Sequence, residues 1–299
     1  KATFNPITMK ITNLLTRSES PADREERGFF TNRRGRRLFY AMHGGQSDRP
    51  AWVFCNPFLE EKLFSHPVYI NFARRFSEEG WPVLRFDYEG DGDSEGDYRN
   101  IGLREWVDDV EDAISFVRGR YFAKSINLFG LRLGASIACL AAKKNVCTNL
   151  LLWEPVVDGR DYFQECLRLN LTTQLATYRK VVEDRKQLMA KLNDGKTVNI
   201  SGYEVGRLMA DSISSMNLAT QLDDITCLVH IIAFVRVGAE PVRNDMQPLI
   251  AGRKVNLRVL EVHQFWNEPR FYDAEQHALT ALSLDMIAAV MPGMPVTDR

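Results

Sequence analysis

Ser125-Ile126-Asn127-Leu128-Phe129-Gly130-Leu131-Arg132-Leu133-Gly134-Ala135-Ser136-Ile137-Ala138 is the stretch that decides the fold. An apolar strand-like run, Ser125 to Phe129, reaches a glycine, and a helix-forming run begins near Leu133. Between them, Gly130-Leu131-Arg132-Leu133-Gly134 has the G-x-S-x-G frame of a strand–turn–helix nucleophile elbow, with arginine where the serine would stand. The glycines of that frame let the turn pack tightly, and its middle side chain rises above the sheet at a helix N-terminus. A guanidinium stays protonated and offers donors but no lone pair. It neither attacks a carbonyl nor takes a proton, so the first chemical step that this turn usually supports is missing.

Working outward, strands and helices alternate. Gly28 to Ala41 reads as two aromatic-rich strands around a glycine-containing turn, and Ala51-Trp52-Val53-Phe54-Cys55 as a buried strand ending at Asn56-Pro57. The spacing of Val68, Phe72 and Phe76 predicts a helix from His66 to Glu79 that stops at Gly80. Pro82 to Tyr88 is the next strand and runs into a Gly/Asp-rich loop, Glu89 to Asp97. A second helix spans Leu103 to Arg118, with Trp106, Val110, Ala113, Ile114 and Val117 on one face. Cys147 to Trp153 is a strand ending at Glu154-Pro155.

From about Asp158 to Leu222 strand-like runs vanish and charged amphipathic helices take over, with polar breaks near Asn193-Asp194-Gly195 and Asn199-Ile200-Ser201-Gly202. Strand patterning resumes at Val229 to Val235 and Leu257 to Val262, and a final helix spans Asp273 to Val290. Such alternation predicts βαβ units and a mainly parallel twisted sheet flanked by helices. The expected organisation is an α/β core of residues 1–157 and 223–299 carrying a helical cap insertion at 158–222.

Composition narrows the class. The 38 basic and 39 acidic residues nearly cancel, so net charge makes no case for nucleic acid or an anionic membrane. No run approaches the ~20 apolar residues of a membrane span. The five cysteines (Cys55, Cys139, Cys147, Cys166, Cys227) lack C-x-x-C spacing, which argues against a disulfide framework and a zinc site. The cytoplasm is therefore the expected compartment, and four of the cysteines lie in apolar stretches as inert core residues. The acidic loop at 89–95 lacks the ligand spacing of an EF-hand, so no metal is expected there. No cofactor is expected.

Two local motifs and the order of elements resemble the α/β-hydrolase superfamily. One motif is the Arg132 turn. The other is Phe86-Asp87-Tyr88-Glu89-Gly90-Asp91-Gly92-Asp93-Ser94-Glu95-Gly96, which is similar to that superfamily's F-D-x-R-G-x-G-x-S-x-G loop. More closely, Asn56-Pro57-Phe58, Leu84 to Tyr88, Gly130 to Gly134 and Trp153-Glu154-Pro155-Val156 resemble a bacterial subgroup, the exosortase A system-associated hydrolases. The resemblance implies an α/β-hydrolase fold and an activity on ester or thioester bonds if the site is active.

It also implies roles for residues. The backbone N–H groups of Leu133 and Phe58 match the oxyanion hole, which does not depend on side-chain identity. His263, after the last strand, matches the base position or is only a polar strand-end residue, and Glu240, after the penultimate strand, matches the acid, with Glu154 as a second candidate. His43, His66, His230 and His277 have weaker claims, and His230, inside an apolar strand, reads as a buried imidazole. Glu154 ends the strand beside the Arg132 strand, so an Arg132–Glu154 ion pair, joined by Glu60 or Glu61, could simply fill the site. The other reading makes Arg132 the anchor of an anionic acyl or sugar-linked ligand, since a helix N-terminus and a guanidinium fork both favour anions. Tyr162, Phe163, Leu167, Leu169, Leu171 and Tyr178 would then wall the pocket or pack the cap.

Among substitute nucleophiles Cys55 has the best position, but no adjacent base. Ser94 reads as a loop hydrogen-bonder and Ser136 as a helix-packing residue. Water activated by His263 is a chemical alternative. The expected function is thus a pseudo-hydrolase, with an active esterase, thioesterase or acyl-transfer enzyme as the alternative. The expected partner is a small anionic or acyl molecule, with no nucleic acid and no membrane span, and a homodimer is compatible with the sequence.

Overall fold

The computed structural model describes residues 25–46, 48–143, 147–220, 225–235, 246–250, 255–268 and 273–289. In chain order its strands are β1 (Glu25–Thr31), β2 (Arg37–His43), β3 (Ala51–Cys55), β4 (Val83–Phe86), β5 (Ile126–Leu131), β6 (Asn149–Trp153), β7 (Val198–Ile200), β8 (Tyr203–Val205), β9 (Leu228–Val235) and β10 (Val255–Glu261). The α-helices are α1 (Glu60–Glu78), α2 (Leu103–Tyr121), α3 (Leu133–Ala142), α4 (Gly159–Tyr178), α5 (Arg185–Asn193), α6 (Arg207–Ser214), α7 (Gln247–Ile250) and α8 (Asp273–Ala288).

Eight strands form one sheet in the order β1-β2-β4-β3-β5-β6-β9-β10. Only β2 runs against its neighbours; the pairs from β4 to β10 are parallel. The strand period of two divides the apolar residues between the faces. In β3, Ala51, Val53 and Cys55 pack with α2 and α3, while Trp52 and Phe54 pack with α1 and α8. The same alternation recurs in β6, where Leu150 and Leu152 oppose Leu151 and Trp153. Both faces of the central strands are covered, which is why these strands read as unbroken apolar runs.

Two expectations need correction. Helix α1 begins at Glu60, six residues before the predicted start, with Pro67 inside it. The Val68, Phe72 and Phe76 spacing marks only the part of the helix after Pro67, which lacks the N–H that an interior position needs. The segment expected to be wholly helical also holds the antiparallel hairpin β7–β8, turned at Ser201 (φ 51°) and Gly202 (φ 95°). Its strands are three residues long, too short to show alternation in sequence.

The chain enters and leaves this segment at one neck. The Leu218 N–H donates to the Val157 carbonyl (2.8 Å) and the Gly159 N–H to the Met216 carbonyl (2.9 Å). Phe163, Leu167, Leu188, Met209 and Ile213 from the segment share one buried cluster with α2, α3 and the sheet. Among the described residues no helix is long and apolar enough to cross a membrane.

Candidate functional site

Two helices start side by side at the carboxyl ends of β3 and β5, and each is preceded by a non-glycine residue with positive φ. These are Leu59 (φ 51°) before α1 and Arg132 (φ 54°) before α3. That conformation costs a residue with a Cβ of order 1–3 kcal/mol. Around Arg132 the backbone is fixed on several sides. Its N–H donates to the Trp153 carbonyl (3.0 Å), and its carbonyl accepts from Ala135 (3.1 Å) and Val156 (3.4 Å). The framing glycines are required by contact. A methyl group on Gly130 would overlap the Ala135 nitrogen, and one on Gly134 would overlap the Cys55 carbonyl oxygen. Close approach at Gly134 thus seats the Cys55–Phe58 loop on the first turn of α3.

Arg132 is buried, with its side chain 5% exposed. Its Nε donates to Glu61 Oε1 (3.0 Å) and a terminal nitrogen donates to Glu165 Oε2 (2.9 Å). The guanidinium also lies against two ring faces, 5.2 Å from the Tyr162 centroid and 5.5 Å from that of Trp266. The Tyr162 hydroxyl donates to the other Glu61 oxygen (2.8 Å). Burial works against the Arg132 charge, but Glu61 and Glu165 outweigh it and hold its pKa above the ordinary value. Burial likewise pushes the Glu61 carboxyl up, opposed by Arg132 and Tyr162. The two carboxylates differ in access: Glu61 is buried, whereas the Glu165 side chain is 41% exposed.

A cavity of about 250 Å³ opens over this cluster. Phe58, Leu59, Phe64, Leu169 and Ile200 give it apolar walls, and Glu60, Glu61, Glu165, Tyr162 and Trp266 give it polar or aromatic ones. The buried Trp266 Nε1 has no hydrogen-bond partner among the described residues. Of the apolar wall expected from α4, Tyr162 and Leu169 line the cavity, Phe163 and Leu167 are buried in the core, and Tyr178 is exposed.

The other sequence candidates fall as follows. Glu154 (φ 44°) donates its N–H to the Ile232 carbonyl (2.9 Å), and its Oε2 accepts the Phe234 N–H (2.7 Å), which ties β6 to β9. The ion-pair partners of Arg132 are instead Glu61 and Glu165. Cys55 is fully buried, and burial pushes its thiol up to about 12. It is a core residue with negligible thiolate at neutral pH. Phe58 lies just before the start of α1 and Leu133 is the first residue of α3, and both are buried. His263 Nδ1 lies 2.7 Å from Glu275 Oε1 on α8, and its N–H donates to Glu275 Oε2 (2.9 Å). Glu240 lies outside the described residues.

The bland readings of several polar residues hold. The Ser94 hydroxyl donates to the Asp87 carbonyl (2.6 Å) and accepts the Phe39 N–H (2.9 Å), and the Ser136 hydroxyl donates to the Val156 carbonyl (2.6 Å). His230 is buried between Asn149 and Asn256, both at 3.4 Å. At the acidic loop Lys62 Nζ sits 2.7 Å from Asp87 and 2.8 Å from Asp91, an internal cation between the two carboxylates. Among the described residues no group of three His, Cys, Asp or Glu side chains is placed to hold a metal.

Sequence reasoning missed Glu165 and underrated Glu61. Glu61 lies in the first turn of α1, ahead of the Val68, Phe72 and Phe76 spacing that marks the helix in the sequence. Nothing in α4 marks Glu165 among its acidic neighbours, and only the approach of α4 to the Arg132 turn singles it out.

The family model for serine aminopeptidases of type S33 (Hydrolase_4) matches residues 65–222, more than half of the chain. The chain belongs to this family of α/β-hydrolases. Solved structures agree on the α/β-hydrolase fold. Est1E from Butyrivibrio proteoclasticus, in a complex with ferulic acid, is 14% identical, with a TM-score of 0.58 over 88% of this chain and 98% of that one. GrgF from Penicillium sp. sh18 is 16% identical (TM-score 0.60, 90% and 100%). The mouse α/β-hydrolase domain-containing protein 10 is 18% identical (TM-score 0.58, 89% and 100%). At these identities the likeness concerns the fold. No curated protein sequence matches the chain.

Proposed function

We propose that this S33-family chain is a pseudo-hydrolase: Arg132 stands in the place of the serine nucleophile, and the cavity above it holds a small amphipathic ligand under a cap formed by residues 158–222. The observation that carries this reading is the buried Arg132 turn itself. A cation gripped at 3.0 and 2.9 Å by two carboxylates fills the spot from which an acyl-transfer reaction would start. Membership of the exosortase A system-associated subgroup belongs to the same proposal, on the motifs that carry the resemblance.

Two features support a ligand bearing an acceptor, such as an acyl carboxylate or a sugar acid. Glu61 matches the charge of Arg132 within the protein, whereas the half-exposed Glu165 can swing into solvent and leave one face of the guanidinium to a ligand carboxylate. Trp266, whose Nε1 has no hydrogen-bond partner among the described residues, lines the same cavity and is the second donor group of this reading. Phe58, Phe64 and Leu169 suit an acyl or aryl body.

A panel of aryl esters and thioesters tests the disarmed site. Wild type is expected to be silent and unlabelled by a fluorophosphonate probe, while Arg132→Ser gains labelling. Wild-type turnover that His263→Ala abolishes would overturn the proposal in favour of hydrolysis by an activated water. The His263–Glu275 contact at 2.7 Å gives that second reading its physical basis, because it orients the imidazole. Ligand class is tested separately by calorimetric titration with hexanoate and benzoate. Glu165→Gln, which removes the internal competitor, is expected to bind at least as tightly as wild type, and equal silence in both would exclude a carboxylate ligand.

A further inference from the structure

The net charge of −1 conceals a local asymmetry next to the cavity mouth. Five of the large apolar side chains exposed in this molecule fall within fourteen residues of the α4 end: Leu169 (43% exposed), Leu175 (48%), Tyr178 (60%), Val181 (41%) and Val182 (52%). At about 100° per residue, Arg168, Thr172, Leu175 and Arg179 form one stripe on the outer side of α4, opposite its buried Phe163, Leu167, Asn170 and Gln174. Leu169, at the edge of that stripe, also lines the cavity.

Exposed cations accompany these side chains in the same stretch of chain: Arg168, Arg179, Lys180, Arg185 and Lys186. The acidic residues in the same stretch are already engaged, since Glu183 is ion-paired with Lys191 and Asp184 accepts the Gln187 N–H as the cap of α5 (2.9 Å).

The loop that carries Val181 and Val182 is built to hold them outward. Buried Gln174 accepts the Val182 and Glu183 N–H groups at 2.8 and 2.9 Å, and its amide donates to the Glu183 carbonyl at 3.1 Å. Backbone groups satisfied inside the protein can approach an apolar phase without losing hydrogen bonds to water, a condition that chain entering lipid must meet. Apolar side chains ringed by Arg and Lys suit the boundary between acyl chains and anionic headgroups.

We propose that this face, with Leu175, Tyr178 and Val182 as its apolar contacts and Arg168, Arg179 and Lys180 as its cations, docks the protein on an anionic lipid surface. The cavity edge at Leu169 would then lie next to the membrane, so that an amphipathic ligand could pass without crossing bulk water. This is peripheral docking and calls for no spanning helix. It stands on the α4 surface alone and holds whether or not Arg132 has replaced a nucleophile.

Co-sedimentation with phosphatidylcholine vesicles, with and without phosphatidylserine, tests it on the full chain. Binding is expected with phosphatidylserine and weakened by salt. Arg179→Gln and Lys180→Gln should each lower the affinity about fivefold, and Leu175→Asp with Val182→Asp should abolish binding while leaving the circular dichroism spectrum unchanged. No sedimentation with phosphatidylserine vesicles would overturn the proposal. So would binding indifferent to Leu175→Asp and Val182→Asp. A concentration-dependent dimer in light scattering that these two substitutions dissolve, without vesicle binding, would assign the face to a second copy of the chain instead.

Discussion

Arg132 carries a full charge where little water can reach, so its partners decide whether the turn is tolerable. Glu61 is the buried partner, and removing one member of a buried pair strands the other charge at a cost of about 3–5 kcal/mol. Glu165 is half exposed, and exposed pairs contribute about 0–1 kcal/mol. Urea unfolding should therefore show Glu61→Gln strongly destabilised and Glu165→Gln nearly neutral; equal losses would mean that both carboxylates are structural. The paired change Arg132→Met with Glu61→Leu should recover much of the loss, because neither charge is left alone.

A second residue-scale prediction concerns His43. It is buried beside Arg85, whose Nε donates to the imidazole Nε2 at 3.0 Å, with Glu25 Oε2 3.6 Å from the same nitrogen. Burial first, then the charge of Arg85, pushes the imidazole down to about 4. Between the ordinary value of 6.5 and 4 the unfolded chain binds the proton and the folded chain does not. This group's contribution is thus complete above pH 6.5 and is lost as pH falls toward 4. His43→Gln should flatten the loss of stability between pH 6.5 and 4 in denaturation curves, and an unchanged slope would assign it to other groups.

At the scale of elements, the glycines differ in what they do. Gly134 is held against backbone, the Cys55 and Asn56 carbonyls, so that an added methyl group has nowhere to go. Gly119, exposed near the end of α2, meets nothing within 4 Å. Gly119→Ala should stabilise the protein by about 0.5–1 kcal/mol through helix propensity alone. Gly134→Ala should destabilise it by clearly more than 1 kcal/mol and separate α3 from the loop after β3. Thermal shifts of opposite sign in the two variants would bear this out. The same scale explains the later expected start of α1, because its acidic first turn, Glu60 and Glu61, precedes the apolar spacing at Val68, Phe72 and Phe76. A helix of 19 residues packed by Val68, Phe72 and Phe76 can absorb one missing hydrogen bond.

At the scale of the whole molecule, the 158–220 segment does not ride loosely on the sheet. Its apolar residues Phe163, Leu167, Met209 and Ile213 share a continuous cluster with α2, α3 and the sheet, and its two ends meet at the Val157–Leu218 neck. Calorimetry should accordingly show sheet and segment melting in one transition. A separate early peak, removed by truncating α4 to α6, would show that the segment unfolds on its own.

The alternation of strands and helices, the parallel sheet, the glycine-framed turn and the presence of an arginine within it could all be read from sequence, because they rest on periods and steric needs set by near neighbours in the chain. The sequence also raised the plugged site, but proposed Glu154 as the main partner. The observed partners, Glu61 and Glu165, come from α1 and α4, separated from Arg132 by 71 and 33 residues. Carboxylates that distant carry no local mark of their partner. Only when β3 and β5 set two helix starts side by side, and α4 folds over them, does the charge of Arg132 acquire its counterions, its aromatic cover and its cavity.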